Sequence, residues 1–427
     1  MTAMDEQEQR RRRLAAWRGS HRVLARRSTD GTVGEGLAAL VAGIGAGSGA
    51  GSGTGSGSGA GSGSGAGSGS GAGSGSGAGS GSGAGSGFVH DPDDAVDVYG
   101  GGVVADLERR VAGLLGTEEA AFFPTGTMAQ QVALRCWAGR TGNATVALHP
   151  LAHPELHEEG SLGAVSGLRT VHLTSAPRMP SADEVRDHPE PFGTLMLELP
   201  LRDAGFVLPT WDELEAVVAA ARERDAVVHL DGARLWECGP HFGRGLQEIA
   251  ALADSVYVSF YKSLDGLSGA VLAGPSVLVE EARVWRHRYG GQLFQQYPAA
   301  LSALIGLDRE LPRLPSYVAH AKVVASAMAE GFAAAGVPWF RVHPEPPHTH
   351  QFQVWLPYGA EALDEASLRQ AEETGVTLFR RWGPGAAGVA GLPPGVSVTE
   401  VTVAGAGLEW SAEDVREAVA GFVGLLE

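Results

Sequence analysis

The chain has 427 residues, and 43 of them, positions 45–87, are glycine alternating strictly with serine, alanine or one threonine. Hydrophobic residues still make up 44% of the whole, which excludes wholesale disorder, and the 340 residues of 88–427 are enough to bury a large core. The net charge of −17 argues against nucleic acid as the main partner, because phosphate binding needs a basic face.

Residues 1–44 form a basic head with eight arginines against five acids. Within it, 5–27 reads as one basic amphipathic helix, carrying Leu14, Trp17, Val23 and Leu24 among the arginines, and a docking arm is the simplest use for it. Positions 45–87 read as a flexible tether that would span on the order of 35–40 Å as a random coil. From Val103 the pattern changes. Residues 104–115 have apolar side chains at helical spacing, stopped by Gly116. Short apolar runs then recur at 120–123, 145–148, 170–173, 194–199, 226–230, 255–260 and 270–273, with helix-period segments such as 210–224 between most of them. Strands buried on both faces and alternating with helices predict an α/β unit with a mostly parallel sheet of seven strands. Helices are expected at 275–288, 296–310 and 315–335, strands at 351–356 and 397–403, and a last helix from Ser411. The expected division is therefore a large domain over 88–310 and a smaller α+β domain over 311–427.

Three junctions could carry chemistry. At 258–263 (VSFYKS) a strand ends and Lys262 follows at once, a position that faces the ligand crevice in an α/β sheet. At 227–235 (VVHLDGARL) an apolar strand ends in Asp231, and a helix cap is the plain alternative for that carboxylate. At 124–129 (PTGTMA) a strand passes into a helix, where Gly126 allows close backbone approach and free N–H groups can hold a phosphate. A phosphate cradle, an acid and a lysine at three strand ends together suit pyridoxal 5'-phosphate. The lysine condenses with the aldehyde, and the acid holds the protonated pyridine nitrogen. No GxGxxG follows the first strand of the body, which argues against a dinucleotide.

In this order the motifs resemble the threonine aldolase and β-eliminating lyase family of aspartate-aminotransferase-like, fold type I enzymes. The matching stretches are 97–100 (DVYG), 123–130 (FPTGTMAQ), 153–160 (HPELHEEG), 229–235 (HLDGARL) and 259–262 (SFYK), covering roughly 92–310 well and the last hundred residues loosely. The resemblance implies that Lys262 is the Schiff-base lysine, Asp231 the partner of the pyridine nitrogen, and Gly126, Thr127 and the Met128 N–H the phosphate holders. It implies that His153 stacks on the ring and serves as, or positions, the base, and that Arg234 contacts cofactor or substrate carboxylate. Tyr99 would face a partner subunit's site or simply pack. The activity implied is retro-aldol cleavage of a β-hydroxy-α-amino acid to glycine and an aldehyde. Other outcomes on the same scaffold are β-elimination, aldol transfer, or cofactor binding without turnover. A homodimer or homotetramer is implied as well.

The sequence departs from the family pattern at three places. Leu201 stands where a histidine is usual, Phe294 replaces an arginine, and Glu400 lies where a substrate-clamping arginine is expected. Arg202, or Arg380 and Arg381, could replace the lost cation. The histidines 149, 153 and 157 are spaced like metal ligands, but Pro150 and Pro154 break a continuous helix through them. The group 343, 348 and 350 sits in a proline-rich turn, so no metal is expected at either place. Two cysteines without a CxxC motif, and no apolar run of membrane-spanning length, predict a cytoplasmic protein with no membrane partner.

Overall fold

The computed structural model describes residues 3–25, 28–45, 95–384 and 395–426. The proposed tether, from position 46 on, lies outside these residues.

In chain order the strands are β1 Arg22–Val23, β2 Glu119–Phe123, β3 Thr145–Leu148, β4 Arg169–His172, β5 Thr194–Glu198, β6 Val227–Gly232, β7 Ser255–Ser259, β8 Ala270–Gly274, β9 Arg341–His343, β10 Gln351–Leu356, β11 Val376–Thr377, β12 Gly383–Pro384 and β13 Ser397–Thr402. Seven of them build one sheet in the order β2-β8-β7-β6-β5-β3-β4, antiparallel only where β8 meets its two neighbours. All seven apolar runs are strands of this sheet. The pattern is legible because β3, β5, β7 and β8 are buried at every residue, as expected of strands covered on both faces. The helices between them carry strong local signals. α3, Gly102–Leu115, ends at Gly116 in the left-handed conformation, φ 68°. The helix Trp211–Glu223 opens with a Thr210/Glu213 capping box.

A second, antiparallel sheet has the order β12-β13-β10-β9. The helices Leu314–Ala334 and Ala412–Gly424 pack on it. The helix Leu314–Ala334 serves two cores. Leu314 and Tyr317 join the core of the large sheet, and Val324, Met328 and Phe332 join that of the small one.

The head docks onto this second unit, though not as one helix. α1, Ala3–Gly19, stops at Gly19, and the Ser20 hydroxyl bonds back to the Ala16 carbonyl and across to Thr377. The chain then pairs β1 with β11 in parallel, and α2, Val33–Gly45, follows. Backbone pairing with β11 replaces the continuation of the helix predicted to residue 27. The arginines meet acids: Arg12 reaches Glu365 and Glu372, Arg13 reaches Asp364, Arg22 reaches Asp414, and Arg380 of the small unit holds Asp30 of the head. The charge asymmetry of the sequence is thus used within the chain.

Candidate active site

The C-terminal ends of β5, β6 and β7 lie side by side, with Glu198 opposite Asp231 and Asp231 opposite Tyr257 in register. Lys262 stands three residues beyond β7. The turn that brings it back toward the sheet is closed by the Gly266 N–H on the Phe260 carbonyl, 2.9 Å. α4, Gly126–Thr141, starts beside them. A β-carbon on Gly126 would sit 2.1 Å from the Tyr257 hydroxyl oxygen, so only glycine fits at this turn. Gly126, Thr127, His153, Glu158, Asp231, Tyr257, Tyr261 and Lys262 line one narrow recess. It adjoins, through His153, Tyr261 and Lys262, a cavity of about 900 Å³ that Arg202 and Arg234 also line.

Each side chain is tuned by its surroundings. Burial, and then the Arg234 charge, push the Lys262 ammonium down to about 8. About one lysine in ten is then uncharged at neutral pH, the form that attacks a carbonyl. Burial pushes the Asp231 carboxyl up while the Lys262 charge pulls it down. Burial and the neighbouring Asp231 raise Glu198 to about 7. Glu198 also organises the backbone, accepting the His153 N–H at 2.8 Å and the Arg202 N–H at 3.2 Å. His153 opens the short helix α5, His153–Leu156, and its Nδ1 lies 3.1 Å from Glu158 Oε1. The Glu158 carboxylate is nearly inaccessible, at 3% exposure. Burial works to raise it, but hydrogen bonds from His153, Ser161 and Thr127 outweigh burial and hold it below the ordinary range. A carboxylate held anionic takes a proton-bearing Nδ1, so that in the neutral imidazole the lone pair is on Nε2.

The site brings together most residues singled out from the sequence, with adjustments. Met128 is less available than expected, because its N–H already donates to the Thr125 hydroxyl at 3.2 Å. The first-turn amides of Gly126 and Thr127 remain the better placed donors. Arg234 donates from Nε to Gln351 at 2.7 Å, and Arg202 pairs with Glu400 at 2.9 Å. Arg380 is engaged with Asp30 instead. Tyr99 lines neither the recess nor the cavity; it is exposed, and its ring meets that of Phe294 edge-on at 5.4 Å. Leu201 is buried with Leu151 and Ala204, an apolar filling for a position where the family pattern has a histidine. His149 is bonded to Ala176, His157 to Asp203, His343 to Ala204 and His348 to the Leu208 N–H. Among the described residues no cluster of three or more histidine, cysteine or acidic side chains is placed to hold a metal.

Glu158 and Tyr257 were not visible as site residues in the sequence. Neither was the pair formed by Glu237 and His350. That pair is fully buried, with Nε2 to Oε2 at 2.8 Å, and the same Glu237 oxygen receives the hydroxyl of Ser263, next to Lys262. Burial opposes both charges, but mutual attraction keeps Glu237 below and His350 above their ordinary ranges.

The residues fit pyridoxal phosphate. A lysine with lowered proton affinity, a buried acid one strand away and a glycine-only helix start converge on one recess. Comparison with known proteins agrees. The β-eliminating lyase family model matches residues 92–355. The chain is 30% identical over 244 residues to the low specificity L-threonine aldolase of Escherichia coli K12, covering 56% of this chain and 72% of that one. It is 25% identical over 284 residues to low-specificity L-threonine aldolase 1 of Arabidopsis thaliana, covering 64% and 77%. A Listeria monocytogenes crystal structure, provisionally assigned as an L-allo-threonine aldolase, superposes with a TM-score of 0.76 at 30% identity, over 96% of this chain and 99% of that one.

Proposed function

Because the chain belongs to the β-eliminating lyase family, whose members are pyridoxal-phosphate-dependent lyases, we propose that it cleaves a β-hydroxy-α-amino acid to glycine and an aldehyde. The observation that carries this reading is the convergence of Lys262, Asp231 and a carboxylate-held His153 on one recess.

Bound there, pyridoxal phosphate supplies an electron sink for the bond at the substrate α-carbon. Lys262 would hold its aldehyde carbon, Asp231 its ring nitrogen, and the Gly126 and Thr127 amides its phosphate. The chain's residues do the rest. Arg234 and Arg202, both lining the cavity, orient the substrate carboxylate; Arg234 does most of this, because Glu400 offsets the Arg202 charge. His153 Nε2 takes the proton of the β-hydroxyl as Cα–Cβ breaks, and Glu158 steadies the imidazolium that results. The same proton is then available for return to the α-carbon, which yields glycine.

The test is release of glycine and acetaldehyde from L-threonine and L-allo-threonine by the protein loaded with pyridoxal phosphate. Release from either is expected. No release from any β-hydroxy-α-amino acid, with the cofactor absorption still shifting on amino-acid addition, would refute retro-aldol cleavage and leave another lyase reaction.

A further inference from the structure

The cavity over Lys262 is open to solvent and has a volume of about 900 Å³, more than the cofactor that Lys262 would hold and the four-carbon threonine fill together. Part of its wall comes from the head. Val33, Leu37 and Leu40 of α2 line it, spaced four and three residues apart and therefore on one helical face. Leu267, Ala404 and Ala406 add further apolar wall. Lys262, His153, Arg202 and Arg234 line the same cavity.

α2 is an anchored wall. Leu40 packs against the core of the large sheet. At Gly43 a β-carbon would meet Ile305 Cδ1 at 2.5 Å, so the C-terminal end of the helix sits directly on the helix Tyr297–Arg309. At its other end the preceding turn is clamped, with Arg18 donating to the carbonyls of Asp30 and Gly31 and Arg380 holding the Asp30 carboxylate. The match to the family model begins only at residue 92.

We propose that α2 forms an apolar side-chain subsite of the active site, and that the substrate is a β-hydroxy-α-amino acid with a large or branched apolar side chain. This rests on the retro-aldol reading above. The α-amino and α-carboxylate ends are held near Lys262 and the two arginines, and the group on the β-carbon extends toward Val33, Leu37 and Leu40. The product beside glycine is then an apolar aldehyde larger than acetaldehyde.

The experiment compares L-threonine with 3-hydroxyleucine in the full-length holoenzyme, reading glycine release for both. One added methylene in an apolar pocket changes kcat/KM by roughly 10–200-fold, so 3-hydroxyleucine is expected to be preferred by about tenfold or more. Leu37→Glu places a charge in the wall at a residue 60% exposed, where folding tolerates it. It should cut that preference at least about fivefold, through a raised KM for 3-hydroxyleucine. Val33→Glu, at 82% exposure, gives an independent second variant with the same expected direction. Glycine from threonine with no preference for the larger substrate, or a preference unchanged in both variants, overturns the subsite and leaves the aldolase reading intact. Glycine from neither substrate overturns both.

Discussion

Glu158→Gln isolates the partner of the proposed base. The change keeps the shape of the side chain and removes its charge. In the native protein Oε1 faces His153 Nδ1 at 3.1 Å and Oε2 takes the Ser161 hydroxyl at 2.9 Å. The glutamine carbonyl still accepts from Nδ1, while the hydroxyls of Ser161, which already accepts from Gln131 at 2.6 Å, and Thr127 must reorient around the amide. What is lost is the attraction between a carboxylate and the imidazolium formed when Nε2 takes a proton. At this separation, with an effective dielectric of about 20, Coulomb's law gives about 5 kcal/mol as an upper figure. His153 is 35% exposed, so solvent screens much of it. A charge-assisted hydrogen bond is worth about 1.5–3 kcal/mol, and the loss should fall near 2–3 kcal/mol. That corresponds to a fall in kcat of about 30–150-fold. Because the charge on His153 arises only during reaction, KM should stay within about threefold. The assay is glycine release under saturating substrate, alongside absorbance titration with pyridoxal phosphate to verify that the cofactor still binds. A kcat within threefold of the parent, or a loss confined to KM, would refute the pairing of Glu158 with a proton-accepting His153.

Two further outcomes follow from the contacts of Gly126 and His229. Gly126→Ala drives a methyl group into the Tyr257 hydroxyl, a contact of 2.1 Å that must be relieved by moving the helix start. Overpacking of this kind costs about 1–3 kcal/mol, so affinity for pyridoxal phosphate should fall roughly tenfold in an absorbance titration; an unchanged affinity would remove the turn from the phosphate site. Burial pushes the His229 imidazole down to about 3, with its nitrogens bonded to Ser255 and Gln130. In that interval the unfolded chain binds the proton and the folded chain does not. His229 therefore favours folding fully above about pH 6.5, and stability falls by up to about 1.4 kcal/mol per pH unit on acidification toward 3. Urea unfolding between pH 7 and 4 should show a shallower slope in His229→Gln than in the parent; equal slopes would contradict the assignment.

The sheet and the central trio were legible in the sequence for a specific reason. Strands buried on both faces are written as continuous apolar runs. Lys262 and Asp231 each follow such a run directly, so their placement at one sheet edge needed no long-range information. The partners of these groups were illegible for the opposite reason. Glu158 lies in a short acidic stretch that looks solvated, and only the fold turns its carboxylate inward to His153. Tyr257 sits inside a strand and resembles core material, yet its hydroxyl reaches Gly126, 131 positions away in the chain. Glu237 lies in the short helical turn Leu235–Glu237 after β6 and His350 just before β10, and nothing local marks either as half of a pair. The head was read as one helix because its arginines and apolar residues follow helical spacing, whereas pairing of β1 with β11 is a property of the distant strand. Arg380 and Met128 show the limit of reading roles by position: each has a local partner that occupies it.

The contact between Gly126 and Tyr257 also has a bearing on how such an enzyme can change over time. β7 holds Tyr257 against the proposed phosphate turn and, a few residues on, delivers Lys262. One strand therefore acts as the gauge for both ends of the cofactor's grip. Most of the wall proposed to select the substrate is carried elsewhere, on α2 and on the segment after β13, with Leu267 added from the loop that follows Lys262. Substitutions in the head can accumulate without disturbing the gauge. On the proposed α2 subsite, cofactor affinity and substrate choice rest on largely different segments of the chain.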